Sequence, residues 1–210
     1  MKKKNSILIF GASSDLFQKF RKFKKIFDCI TVSSKNSKKY DYPNFNYESY
    51  DFEYLSKEIK GKNIKYIIIF NGYFKNESDE ITSYRINYQI PKSIINFMLK
   101  NKKPKQDLRI ISITSLDSIH ANTNDINYSL YKSLISKYIL NMRLKYKFEK
   151  IQFDDLMLGA INTKMRVNKN RDGISALEIE KLIFFLISLD IKTTLNPIKI
   201  FPKFKSYLEY

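Results

Sequence analysis

Apolar residues in this chain fall into short dense runs separated by longer polar stretches. Residues 6–11 (SILIFG) form the first run, followed by 29–33, 65–70 (KYIIIF), 108–113 (LRIISI), 150–157 and 196–201. Runs of this length, rich in Ile, Val, Tyr and Phe and apolar at nearly every position, predict strands buried on both faces. Between them the spacing changes to that of amphipathic helices. A helical pattern follows the Gly11–Phe17 stretch through Phe27, and others cover 53–60, 79–101, a stretch from Tyr128 to about Lys147, and 175–189. In the fourth of these, Leu134, Ile135, Tyr138, Ile139 and Met142 make an apolar stripe that suits a core or a subunit interface. Asn46–Tyr50 predicts a short third strand, and 36–44 and 166–174 read as polar links. The alternation of strand and helix predicts one doubly wound α/β domain with a mainly parallel sheet.

Composition narrows the class. At 210 residues with 43% hydrophobic and 15% aromatic content, the chain can bury a sizeable core. Cys29 is the only cysteine, which excludes an internal disulfide framework and fits a cytoplasmic setting. The basic start, MKKKN, precedes an apolar run of only Ile7–Phe10, too short for a signal peptide. Runs such as Leu182–Ile187 are far below a membrane span, so no membrane insertion is expected. The formal charge of +17 would by itself suggest nucleic acid. The lysines are scattered along the whole chain, however, together with much Asn, Ile, Tyr and Phe, the joint bias an AT-rich genome produces. A solvated basic surface is the expectation, and nucleic-acid binding is not. A positive field of this kind would draw in anionic cofactors and substrates.

The chemistry concentrates in Ser115–Lys132, SLDSIHANTNDINYSLYK. Tyr128 and Lys132 are four apart, so on a helix they share a face. Ser115 ends the preceding strand, and a hydroxyl, a phenol and an ammonium can meet at the carboxyl edge of the sheet, where open α/β proteins bind ligands. A neighbouring ammonium favours the phenolate, and the phenol can then exchange a proton with an alcohol or carbonyl oxygen held by the serine. Side chains provide no hydride donor, so such a site requires a nicotinamide. His120, the lone histidine, lies between Ser115 and Tyr128 and would border the same pocket, though a lone loop histidine is more often incidental. No His/Cys/carboxylate cluster has metal-ligand spacing. Asp154 and Asp155, adjacent on a strand, would face opposite ways, so a two-carboxylate site is not expected.

Ser115, Tyr128 and Lys132 resemble the Ser…Tyr-x-x-x-Lys set of the short-chain dehydrogenases/reductases, and further matches extend over almost the whole chain. The resemblance implies a Rossmann-type fold and carbonyl–alcohol oxidoreduction. It makes Tyr128 the general acid/base, Lys132 its electrostatic partner and ribose ligand, Ser115 the substrate anchor, and Asn87 a helix asparagine that supports a proton relay. The stretch around Gly11, Ser13, Ser14 and Leu16 resembles the family's glycine-rich phosphate loop, but Asp15 and Phe17 stand where two glycines would, which implies an altered loop or a displaced helix. Ser33, Ser34 and Lys35 follow the second strand where an Asp or Glu would select NAD. Hydroxyls and a cation suit a 2′-phosphate, so NADP is favoured over NAD. Asp51-Phe52 resembles the family's adenine-contacting pair, with a helix cap as the plain alternative for Asp51. Asn71 and Gly72 resemble the asparagine–glycine turn after the fourth strand of the family. Leu158-Gly159-Ala160-Ile161-Asn162-Thr163 resembles a Pro-Gly-x-x-x-Thr turn, in which Gly159, Ile161 and Thr163 would meet the nicotinamide. Family practice implies a homo-oligomer and a small-molecule carbonyl or alcohol substrate, and the short 166–174 link and the positive field lean toward an anionic, bulky one. The glycine-loop departures leave an alternative, a degenerate, non-catalytic member that binds a nucleotide or a protein partner.

Overall fold

In the computed structural model, residues 6–74, 79–103, 106–120, 125–162, 173–195 and 197–202 are described. Six parallel strands form one sheet: β1 (Ser6–Phe10), β2 (Asp28–Val32), β3 (Ile64–Ile69), β4 (Leu108–Ser115), β5 (Ile151–Leu158) and β6 (Ile198–Ile200), in the order β2-β1-β3-β4-β5-β6. Alternate side chains of the strands enter two separate cores. Leu8, Phe10, Ile67, Ile110 and Phe153 face α3 (Ser49–Ile59), α5 (Ile90–Asn101) and α6 (Ile126–Lys145). Ile7, Ile9, Ile68, Ile111 and Leu156 face α1 (Asp15–Gln18), α2 (Phe23–Ile26) and α7 (Ala176–Ser188). A sheet covered on both faces explains why its strands read as continuous apolar runs. The chain leaves β1 toward β2 on one side and returns to β3 on the other, so a crevice opens at the carboxyl ends of β1 and β3. Among the described residues, no helix is long and apolar enough to cross a membrane.

Two elements differ from the sequence expectation. Asn46–Tyr50 forms no strand, and β2 is the sheet edge. Asn44 and Tyr47 have φ of 55° and 64°, outside the extended region. The Asn46 and Glu48 backbone N–H groups both donate to Asp51 Oδ2, at 2.9 and 3.2 Å, winding this segment into the start of α3. The helix predicted through Phe27 is split into two short turns. Ser14 caps the first by accepting from Phe17 N at 3.2 Å. The second starts where buried Glu180 accepts from Lys22 N and Phe23 N at 2.9 and 2.7 Å. Phe17, Phe20 and Phe23 are all buried, and the Phe17 ring packs 5.4 Å from that of Phe70 at the end of β3. A side chain of that size at the position of a loop glycine is taken into the core between α1 and the sheet.

The predicted 79–101 helix is present with an irregularity. Asp79 caps α4 (Glu80–Tyr84), a π-turn covers Arg85–Gln89, and α5 continues to Asn101. Pro91 causes the irregularity. Without an N–H it cannot donate to the Asn87 carbonyl one turn earlier, and the helix widens there.

Candidate active site

Ser115 is the last residue of β4 and the N-cap of a 3-10 turn over Leu116–Ser118, so its Oγ accepts from Asp117 N at 3.2 Å. Tyr128 and Lys132 lie in the first turns of α6, whose start is fixed by buried Asp125 accepting from Tyr128 N at 2.9 Å. The Tyr128 hydroxyl faces the Ser115 hydroxyl, which favours its ionised form. Phe74 packs edge-on against the same ring at 5.2 Å, and Lys132 Nζ stands 5.7 Å from the ring centre. The three groups expected from spacing alone are therefore brought together at the carboxyl edge of β4.

The electrostatics of the three depart from the expectation. Burial pushes the Tyr128 phenol well above its ordinary value near 10, with the Ser115 hydroxyl acting against this and Asp117 and Asp125 adding to it. Desolvation therefore outweighs the expected lowering by the ammonium, and the phenol is protonated at neutral pH. Burial lowers Lys132 from 10.5 to about 8, with the Asp155 carboxylate holding it up. Lys132 is 3% exposed and donates to the Asn71 carbonyl at 3.2 Å.

Asn87 sits in the π-turn and is fully buried. Its Oδ1 accepts from Tyr73 N at 2.9 Å, and its Nδ2 donates to Tyr73 O at 2.8 Å and Ser83 Oγ at 3.1 Å. It thereby braces the loop after β3. In that loop a Cβ on Gly72 would lie 3.3 Å from Lys132 Nζ and 4.0 Å from Asn87 Oδ1, so glycine leaves the ammonium room to approach the backbone.

At the β1–β3 crevice, Gly11 has φ +70°, and a Cβ there would meet Asn71 N and Phe70 C at 3.0 Å. Asn71 Oδ1 lies 3.3 Å from the same point and is buried with no hydrogen-bond partner among the described residues. Glycine lets the turn after β1 close against the loop after β3, and the uncommitted buried Asn71 Oδ1 beside it fits a hydroxyl or amide donor of a dinucleotide. The Asp15 carboxylate does not oppose an anion there unscreened, since Lys19 Nζ pairs with it at 3.2 Å. Tyr47, which the sequence reading missed, closes one side: Asn71 Nδ2 donates to its hydroxyl at 3.1 Å, and that hydroxyl also faces the Gly11 backbone. No motif marks Tyr47, because its place depends on the left-handed backbone of its loop.

The remaining candidates are spread more widely. Ser13 and Ser14 follow Gly11, and the Ser14 hydroxyl is engaged in the α1 cap; Leu16 is buried in the core beneath. Ser33 is buried and its Oγ accepts from Lys35 N at 3.0 Å, while Ser34 and Lys35 are exposed at the end of β2. The Asp51 carboxylate is engaged in the α3 capping box and Phe52 packs 4.8 Å from Phe97 in the core, so these two side chains serve the fold. Gly159 N donates to Ile200 O at 2.9 Å, and Ile161 bridges to Ile174. Thr163 lies outside the described residues. His120 follows the 3-10 turn, with its ring 6.4 Å from that of Phe201.

No family model and no curated protein matches the sequence. Solved structures match it closely in shape. A short chain dehydrogenase from Burkholderia cenocepacia J2315 in complex with NADP aligns with TM-score 0.75 and 13% identity over 96% of this chain and 90% of that one. A 3-alpha-hydroxysteroid dehydrogenase from Pseudomonas sp. B-0831 complexed with NADH gives 0.77 and 10%, over 93% and 95%. A 4-hydroxyisoleucine dehydrogenase complexed with NADH gives 0.76 and 17%, over 93% and 96%. At these identities the likeness establishes the fold.

Proposed function

We infer that this chain, built on the short-chain dehydrogenase fold, is an NADP-dependent oxidoreductase that interconverts a carbonyl and an alcohol. One observation carries the reading: Ser115 facing the Tyr128 hydroxyl with the Lys132 ammonium against the same ring, at the carboxyl edge of β4. A bound nicotinamide would supply or accept the hydride that side chains cannot. In the reducing direction Tyr128, kept protonated by burial, gives its proton to the carbonyl oxygen. Ser115 holds that oxygen. The Lys132 ammonium stabilises the phenolate left behind. Asn87 fixes the loop to which Lys132 is hydrogen-bonded. Gly11 and Asn71 would hold the dinucleotide, with Ser34 and Lys35 at the 2′-phosphate. NADP or NADH occupies the structural neighbours named above, which supports a nicotinamide without choosing between them. The net charge of +17 favours an anionic substrate, and the free cysteine suits the cytoplasm.

The test is titration of the purified protein with NADPH and with NADH, followed by cofactor fluorescence and calorimetry. Saturable binding with NADPH the tighter is expected. Binding of neither cofactor would overturn the enzyme and leave a degenerate binding protein.

The same reading includes a second copy of the chain. Ile126, Leu130 and Leu134 make an exposed stripe on α6, and Ile81 and Tyr84 are exposed on α4, which is tied to α6 by Tyr131 Oη donating to Glu80 Oε1 at 3.0 Å. An apolar stripe left in solvent suits an interface. Light scattering is expected to give at least a dimer for the native chain and a monomer for Leu130→Glu/Leu134→Glu. A native monomer at micromolar concentration would remove this part of the reading.

A further inference from the structure

Asp155 is a buried carboxylate in an otherwise apolar strand, and the acid–base chemistry above makes no use of it. It is 2% exposed on β5, on the face covered by α6. Thr114, on the neighbouring strand and one residue before Ser115, donates its hydroxyl to Asp155 Oδ1. Oδ2 has no well-formed hydrogen bond among the described residues, nor does Ser136 Oγ, the group on α6 that faces the carboxylate. Ser136 lies one helical turn after Lys132, so the two share a face of α6. A buried carboxylate oxygen without a hydrogen-bond donor is costly and calls for an explanation.

Among the described residues the charged and titratable surroundings are few. Around Asp155 they are Lys132 and Arg143, both from α6, with the Thr114 and Ser136 hydroxyls. Around Lys132 they are Asp155 from β5, the Tyr128 ring from its own helix, and the Asn71 carbonyl and Asn87 amide from the loop after β3 and the π-turn. Asp155 is the one carboxylate among the groups acting on Lys132. A lysine 3% exposed, with only neutral acceptors, would shed its proton readily.

We propose that Asp155 is a positioning residue for Lys132: its buried carboxylate, anchored by Thr114 on the face of β5 that α6 covers, is the counter-charge that keeps the Lys132 ammonium protonated beside Tyr128. The inference rests on the Ser115–Tyr128–Lys132 reading and adds to it a support from below the site. Burial raises the Asp155 carboxyl above its usual range, while two hydroxyls and two cations favour its charged form. The carboxylate and the ammonium therefore titrate as a coupled pair.

The test uses the full chain without cofactor, labelled with ¹³C at lysine Cε, and the Lys132 signal identified by its loss in Lys132→Arg. The native midpoint is expected near 8. In Asp155→Asn, where the amide oxygen still accepts from Thr114, it should fall by about one pH unit. Ser136→Ala, which changes no charge, should leave it in place. An unchanged midpoint in Asp155→Asn overturns the proposal. Should Asp155→Asn not fold, the native Asp155 carboxyl carbon is followed from pH 6 to 10. An inflection at the Lys132 midpoint supports the pair, and a flat trace, or a carboxyl already protonated at pH 7, overturns it. Failure of cofactor binding would sink the enzyme without touching this titration, and an unmoved lysine would sink the coupling without touching cofactor binding.

Discussion

Tyr128→Phe is expected to lower kcat by a factor on the order of 10²–10⁴, the range for loss of a positioned proton donor, while NADPH affinity stays close to native. The change deletes one hydroxyl. The ring remains to pack against Phe74 at 5.2 Å and to receive Lys132 at 5.7 Å, so the site keeps its shape. Ser115→Ala should cost less, because it removes an anchor for the substrate oxygen and not the acid. The pH profile provides an independent check. Lys132 is lowered to about 8 by burial, so raising the pH through that value removes the charge that stabilises the phenolate, and the reduction rate should fall on the alkaline side. Both are read from initial rates of NADPH oxidation with a carbonyl panel once a substrate is found. A Tyr128→Phe enzyme that kept more than about a tenth of native kcat would show that another group delivers the proton.

The sheet was legible because both its faces are covered. Strands buried twice over carry runs such as Lys65–Phe70 and Leu108–Ile113 that no other element explains, and all six lie parallel as the alternation with helices requires. Ser115, Tyr128 and Lys132 were legible because two local geometries, a strand end and one turn of helix, suffice to bring them together. What escaped depends on partners distant in sequence. Asn46–Tyr50 has strand-like composition, yet Asp51 draws two of its backbone N–H groups into a helix cap and Tyr47 takes a left-handed φ. The split of the first helix depends on Glu180, 157 positions beyond Phe23. Asp155 reads as an anomaly in a strand until Thr114, 41 positions earlier, is seen to hold it.

Its neighbour Asp154 carries the largest expected effect on stability. Asp154 Oδ2 pairs with Arg109 Nη1 at 2.8 Å, and both side chains are 1% exposed. Arg109 Nη2 also donates to the Asp190 carbonyl at 2.8 Å, tying the end of α7 to the sheet. Asp154→Ala would leave a guanidinium buried without its counter-charge, at a cost of about 3–5 kcal/mol. That is a large share of the roughly 5–15 kcal/mol that holds a domain folded. Arg109→Met/Asp154→Leu, which removes both charges and fills the space, should recover most of the loss. Urea unfolding measures both, and an Asp154→Ala midpoint within experimental error of native would show that water reaches the pair. Asp154 lies beside Ile111, four residues of strand (about 13 Å) from Ser115, and it is Asp155, on the opposite face of β5, that acts on Lys132, so Asp154→Ala should leave the turnover of folded molecules and the Lys132 titration unchanged. Asp155→Asn should shift that titration. Side chains that alternate across a strand thus give two adjacent aspartates separate tasks, one holding the sheet to α7 and the other setting the charge beneath Tyr128.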